Sequence, residues 1–425
     1  MRCSTPKATA TAWTRNEPGP ARGARVSEPA ALPRLQLRRN EDRRIRQGHH
    51  WVYSNEIDTA ATPLKQFAAG EQVLLCTASG KPLGVAFVNP HSLICARLLE
   101  RHAGEALGAP FLRERLRTAL GLRERLFGEP CYRLVYGDSD GLSGLIVDRY
   151  GEVLVVQVGT AGMERLETEL IAALVELLSP AGILLRNDAS VREMEQLPLY
   201  TRVAWGEVPE FLELDENGAR FRVSATGGQK TGWFYDHRMN RRRVAQLARG
   251  QRVLDVFSYV GGWGVQAAVA GARAVTCIDS SQPALELAAA NAALNGVAER
   301  MDFRAGNAFD ELHALAQAGE RYDIVVLDPP AFIKRRRDQK SGENAYHRLN
   351  REAMQLLADD AILVSASCSM HLEEAALIDI VRMAAFHAGR QLQILEVAGQ
   401  GPDHPIHPAI PETRYLKTVI ARVHR

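Results

Sequence analysis

The sequence predicts an α/β protein in three parts: a β-rich module at residues 32–107, an α+β section at 108–217, and a doubly wound α/β domain at 218–425. Three observations carry that prediction. From Gln251 onward, short apolar strands alternate with helical stretches, the pattern of βαβ units and a parallel sheet. Glycines cluster directly after the first of these strands, at Gly261, Gly262 and Gly264. Carboxylates stand in or after the strands, at Asp255, Asp279 and Asp328, and ligands of such sheets bind outside the carboxyl ends of the strands.

The composition narrows the function classes. A chain of 425 residues that is 46% hydrophobic has room for more than one core. No apolar run approaches the roughly 18 residues needed to span a membrane. Residues 1–31, rich in Ala, Pro, Arg and Gly, lack both an apolar secretory core and hydrophobic periodicity, so a disordered tail is expected there. The cysteines Cys3, Cys76, Cys95, Cys131, Cys277 and Cys368 form no CxxC pair, which argues against a zinc site and against a secreted disulfide framework. A cytoplasmic protein without metal is expected. A net charge of +2 hides two basic clusters, Arg38, Arg39, Arg43 and Arg44 in "LRRNEDRRIR" and Lys334 and Arg335 in "KRRRD". Such patches either meet a phosphate backbone or are solvated faces.

The elements follow in order. "EQVLLCTASGKPLGVAFVNP" sets two apolar runs around turn residues, a hairpin of the first module. "PFLRERLRTALGLRERLFG" has helical spacing and stops at Gly128; "GLIVDRYGEVLVVQVG" folds as a hairpin around Tyr150 and Gly151. "MERLETELIAALVELL" is a second helix and "AGILLRND" a strand. Beyond these lie the strands "RVLDV", "AVTCID", "YDIVVLD" and "AILVSAS", with helices between.

The stretch "VLDVFSYVGGWGV" is a strand, the carboxylate Asp255, then a glycine turn opening a helix, where the backbone can approach a ligand. Its spacing is not GxGxxG, so a pyrophosphate site is poorly supported. Asp279, at the end of the next strand, is placed to accept bonds from ribose hydroxyls. A ribose carboxylate without a phosphate signature fits S-adenosyl-L-methionine (SAM) better than NAD. Phe257, Tyr259, Ser280 and Asp328 are assigned to the same crevice, and Asn307 in "RAGNAFD" to the adenine edge, with a plain turn residue as its alternative. In "VVLDPPAF", Pro329 and Pro330 fix the turn that presents Asp328, a turn suited to gripping an extruded base.

Cys368 in "LVSASCSMHL" follows a strand at the same sheet edge. Cytosine C5 is too weak a nucleophile to be methylated unaided, whereas a thiolate added to C6 activates it. Methylating an exocyclic amine needs no thiol. Cys368 therefore selects C5 chemistry over the N-methylation that "DPP" alone suggests, in which the cysteine would only pack. A non-catalytic RNA-binding protein is a third reading, opposed by the set Asp255, Asp279, Asp328 and Cys368.

"GGQKTGWFYDHRMNR", "DVFSYVGGWGV", "LDPPAF", "SASCSMHL" and "GPDHPIHPAIPETRYLKTVIARV" resemble the class I bacterial large-subunit ribosomal RNA cytosine-C5 methyltransferases. "GHHWVYSNEI" and "PLGVAFVNPHS" are similar to the PUA RNA-binding domain of that family, and "YRLVYGDSDGLSGLIVDRYG" to its central domain. The resemblance spans nearly everything after Leu32. It implies a Rossmann-like class I SAM-dependent methyltransferase domain that forms 5-methylcytosine in 23S rRNA, with Cys368 as nucleophile and Asp328 orienting the base. It also implies rRNA as partner, with a homodimer left open. Lys230 and Arg238 would meet the methionine carboxylate or nearby phosphates. Asn307 stands where the family more often has an acidic residue, and Ala331 where lysine is common. His404 and His407 read as loop structure, and Tyr415 and Lys417 as part of a closing strand or as substrate contacts.

Overall fold

The computed structural model describes residues 31–101, 106–228 and 231–425, so the expected tail lies outside the described residues except for Ala31. Among the described residues no helix is long and apolar enough to cross a membrane.

The N-terminal module is a five-stranded sheet in which Arg34–Gln36 pairs with Glu71–Cys76, then Pro82–Val88, Ala96–Glu100 and Trp51–Val52. Alternating residues Leu35, Val73, Leu75, Ala86, Val88 and Leu98 close its core. The central section carries a second five-stranded sheet, Cys131–Tyr136 to Tyr200–Gly206, covered by the helices Ala109–Leu126 and Glu167–Leu178. The helix expected from Met163 is broken at Leu166. The separate turn Ala161–Arg165 docks on the first module, where Gly162 lies so close to Phe87 that a Cβ would fall 2.0 Å from its ring.

Next comes a hairpin that the sequence reading missed, Phe211–Glu216 paired with Ala219–Ser224. Asn217 (φ 55°) and Gly218 (φ 81°) form its two-residue turn, the left-handed pair that Asn-Gly adopts readily. The domain boundary expected between 217 and 218 thus falls inside a turn. The hairpin continues straight into the catalytic layer: Asn291 accepts from Arg222 N at 2.7 Å and donates to Val260 O at 3.1 Å.

The remaining chain forms a seven-stranded sheet. Its strands are β1 (Arg252–Val256), β2 (Ala274–Asp279), β3 (Met301–Ala305), β4 (Tyr322–Leu327), β5 (Leu357–Ser367), β6 (Gln391–Ala398) and β7 (Lys417–His424), in the spatial order β3-β2-β1-β4-β5-β7-β6. Helices α1 (Gly262–Val269), α2 (Gln282–Leu294), α3 (Ala308–Gln317), α4 (Gln339–Leu356) and α5 (Glu374–His387) cover the faces. β1 and β4 are buried on both sides, Val253 and Val326 toward one core, Leu254, Val256, Val325 and Leu327 toward the other. That is why their sequences are unbroken apolar runs. The sheet is not wholly parallel as expected: β7 runs antiparallel to both β5 and β6. A parallel return requires a crossover, and no α-helix lies between β6 and β7.

Candidate active site at the carboxyl edge of the sheet

The turn after β1 is held by backbone bonds. Phe257 N and Ser258 N both donate to Ile278 O, and Gly261 N donates to Ser258 O. Phe257 (φ 66°) and Tyr259 (φ 50°) lie in the left-handed region, a strain of about 1–3 kcal/mol each for non-glycine residues. Strain of this kind persists only where the surroundings enforce it. Here Ile278 O holds Phe257 N, and the Asp279 carboxylate holds Tyr259 N, accepting from it and from Ser281 N, each at 2.9 Å. Half-buried Asp279 has further acceptor capacity beyond those two bonds. Ser280 beside it is exposed.

The glycines answer first to the protein. Gly261 adopts φ 83°, and a Cβ on Gly264 would lie 2.7 Å from Cys277 Sγ and 3.2 Å from Asp255 Oδ2. Gly262 is buried against Trp233. Asp255 is fully buried beneath the turn, accepting from Gly264 N at 2.8 Å, while its Oδ1 has no hydrogen-bond partner among the described residues. Burial, reinforced by Asp328 and Asp279, pushes its pKa up to about 7 against the Gly264 bond. Tyr259 OH donates to Gly232 O at 3.2 Å, which ties the "GQKTG" segment to this turn. Lys230 in that segment lies outside the described residues. Asn307 is exposed and caps α3, accepting from Phe309 N at 3.0 Å.

Asp328 follows β4 and sits between two residues that the sequence reading missed. Trp263 Nε1 donates to its Oδ2 at 3.1 Å, and His237 Nε2 lies 3.2 Å from Oδ1. Burial would raise the Asp328 pKa, but His237 and the bond from Trp263 outweigh it and keep the carboxyl below its usual range. His237 is positioned in turn by Asn240, which also donates to Gly399 O and Thr418 Oγ1. Arg238 is spent elsewhere: buried, it pairs with Glu216 at 3.3 Å and donates to Cys131 O.

Cys368 follows β5. The parallel register Leu327↔Ser365 puts it at the same edge as Asp328, on the neighbouring strand. It is half-buried, unlike the fully buried Cys76, Cys95, Cys131 and Cys277. Its serine neighbours explain the "SCS" pattern. Ser367 Oγ donates to Tyr346 OH at 2.8 Å, Tyr346 OH lies 2.9 Å from Ser369 Oγ, and Ser369 Oγ accepts from Ile333 N at 3.2 Å. The serines thus lock the backbone on both sides of the cysteine to α4 and to the "DPPAF" loop. Tyr415 OH donates to Asp236 Oδ2, and Lys417, the first residue of β7, is buried with Nζ bonded to Ser369 O.

The two basic patches differ. Lys334 and Arg335 are exposed on the loop that continues from Pro330 past Ile333, at the border of the cysteine. On the N-terminal module, Arg39 and Arg43 are exposed, while Arg38 donates to Ile57 O and Arg44 pairs with Glu56 at 2.5 Å. The loop histidines join the parts: His404 is bonded to Asp403, and His407 packs on His50, ring centroids 4.6 Å apart. Two clefts of about 480 Å3 each lie around Asp215–Gly218, away from this edge.

A seven-stranded sheet with a glycine turn after β1 and a carboxylate at the end of β2 is the arrangement of a SAM-dependent methyltransferase, here with a small β module appended. Residues 200–406 match the family of S-adenosylmethionine-dependent methyltransferases and residues 35–101 that of PUA-like domains. The chain is 34% identical over 397 residues to the ribosomal RNA large subunit methyltransferase I of Klebsiella pneumoniae (strain 342), covering 92% of this chain and 98% of that one. Its identity to the enzyme of the same name from Salmonella newport (strain SL254) is 34% over 396 residues, with the same coverage. It belongs to the ribosomal RNA large subunit methyltransferase I family. In fold it is similar to SMU.776 crystallised with SAH (TM-score 0.79, 20% identity, 92% of this chain and 100% of that one). It is likewise similar to a protein from Streptococcus mutans assigned as a SAM-dependent methyltransferase (TM-score 0.76, 19% identity, the same coverage).

Proposed function

We propose that this enzyme methylates C5 of a cytosine in 23S ribosomal RNA, in the cytoplasm, with Cys368 as the covalent nucleophile. The observation that carries the reading is the half-buried cysteine on a loop braced from both sides, one strand away from Asp328. A cysteine that merely packed would be buried like Cys76, Cys95, Cys131 and Cys277, and would not need its flanks fixed by hydroxyls. The relatives' name, large-subunit rRNA methyltransferase, supports the substrate.

The crevice fits SAM: Asp279 has acceptor capacity left for ribose hydroxyls, and the strained Phe257–Gly261 turn offers backbone at the sheet edge. Asp255 would act from beneath, through Gly264, and Ser280 from the rim, while Lys230 is assigned to the methionine carboxylate by the resemblance alone. When bound, SAM supplies an electrophilic methyl group. Cys368 sulfur would add to C6 of the base, raising electron density at C5. After C5 is methylated, its proton leaves and the C6–S bond breaks, returning the thiolate. Asp328 would orient the extruded base, whose unstacking costs a few kcal/mol and less in a loop. Residues 32–107 with Arg39 and Arg43, together with Lys334 and Arg335, would hold the phosphate backbone.

The test is transfer of labelled methyl from SAM to rRNA from a strain lacking this enzyme, wild type beside Cys368→Ala, with the modified nucleoside identified by mass. Label in 5-methylcytosine that disappears in the variant is expected. Label in a methylated amine, retained by the variant, would overturn the cysteine's role in favour of N-methylation.

A further inference from the structure

We propose that Lys417 is the cation that sets the ionisation of Cys368, a positioning residue that keeps the thiol as thiolate at working pH. The inference rests on the nucleophile reading above, yet it stands on geometry of its own. Lys417 is directly opposite Ser367 in the antiparallel register of β5 and β7. Its ammonium does not reach solvent as lysines ordinarily do. The side chain is buried, and Nζ donates to Ser369 O at 2.6 Å and to Tyr415 O at 2.8 Å.

A buried lysine costs desolvation free energy, and two neutral carbonyls do not return it in full. No carboxylate forms an ion pair with Lys417 among the described residues. Cys368 stands one residue before the carbonyl that Lys417 holds, and its thiolate is the anion assigned to the lysine. Consistent with that, burial draws the lysine's pKa down to about 8, and a charge on Cys368 draws it back up. The other charged groups around the pair are Arg414, which opposes the lysine's charge, and Glu374, which favours it more weakly than Cys368 does. On the α4 side, Tyr346 is neutral: burial, with the Cys368 charge adding to it, pushes its phenol pKa above the usual value. Near neutral pH the ammonium is mostly charged, and the proton released by Cys368 leaves to water while Lys417 keeps its own. One side chain thus does two things: it fixes the carbonyl after the nucleophile, and it supplies the nucleophile's counter-charge.

The test is the pH dependence of Cys368 alkylation by iodoacetamide in the full chain, read by mass on the peptide carrying Cys368 so that other thiols do not interfere. In the wild type the midpoint is expected below the roughly 8.5 of an ordinary thiol. Lys417→Gln keeps a donor for Ser369 O without the charge, and should move the midpoint up by about one unit or more. Lys417→Arg should restore it, and SAM binding should be unchanged in both. A wild-type midpoint at or above 8.5 overturns the proposal without any variant, as does an unmoved midpoint in Lys417→Gln that still binds SAM. If the midpoint moves but Cys368→Ala still methylates RNA, the nucleophile reading fails while the ion pair stands. If Cys368→Ala is inactive and the midpoint does not move, only the present proposal fails.

Discussion

The two ends of the catalytic edge are built in opposite ways. At the cofactor end, one contiguous run, Asp255 to Gly264, carries the turn and is braced by bonds within itself and from β2 beside it. At the cysteine end, nothing is contiguous. Tyr346 comes from α4, Ile333 from the loop after β4, Ser367 to Ser369 from the end of β5 and the loop after it, and Lys417 from β7, and each contact among them uses a side-chain atom. The first end stores strain in a turn. The second stores order in a network whose members are distant in the chain. Substitutions should therefore separate cofactor binding and stability from reactivity of the thiol.

The largest effect should come from Asp255. Its folded pKa of about 7 lies above the roughly 3.9 of an unfolded aspartate, so the folded state holds the proton more tightly. Its contribution to stability is then greatest below pH 4 and falls as pH rises to about 7, by about 4 kcal/mol in all. Asp255→Asn should abolish that fall, which thermal melts from pH 4 to 8 would show; an unchanged slope would mean that the charge under the turn is paired. Gly264→Ala comes next. The added methyl meets Cys277 Sγ and should cost about 1–3 kcal/mol and weaken SAM binding, read by melting and calorimetry.

Tyr346→Phe probes the other end. Removing the hydroxyl leaves Ser367 and Ser369 short of a partner at about 1–2 kcal/mol. Methyl transfer should fall by about tenfold or more through misplacement of the cysteine. SAM affinity should not change, and a parallel loss of affinity would break the division between the ends. The smallest effect should be that of Asn307→Ala, about 1 kcal/mol from the lost cap of α3. Unchanged SAM affinity there would fix Asn307 as a cap; weakened affinity would give it the adenine contact read from the sequence.

The same contrast explains what was legible in the sequence. The apolar strands, the glycine turn, Asp279 and Asp328 were readable because periodicity and turn chemistry are local. The position of Cys368 followed from counting strands. Tyr346, His237 and Trp263 gave no signal, since an aromatic or histidine in a helix or turn says nothing about which distant carboxylate or serine it will meet. Even within the legible turn, the left-handed Phe257 and Tyr259 were invisible, because they are held by Ile278 and Asp279 of the neighbouring strand. The hairpin at Asn217-Gly218 carries its Asn-Gly signal in the sequence as well, beside a change of texture that masks it.

The place of β7 has a consequence for the birth of the enzyme. β6 is made before β7 but pairs with no other strand, and β5 reaches β6 only through it. While a ribosome has translated as far as Leu416, Cys368 exists but the strand that brings Lys417 to its loop does not. On the proposed ion pair, a chain without Lys417–His424 would hold Cys368 without its counter-charge, and would leave β6 without the strand it pairs with.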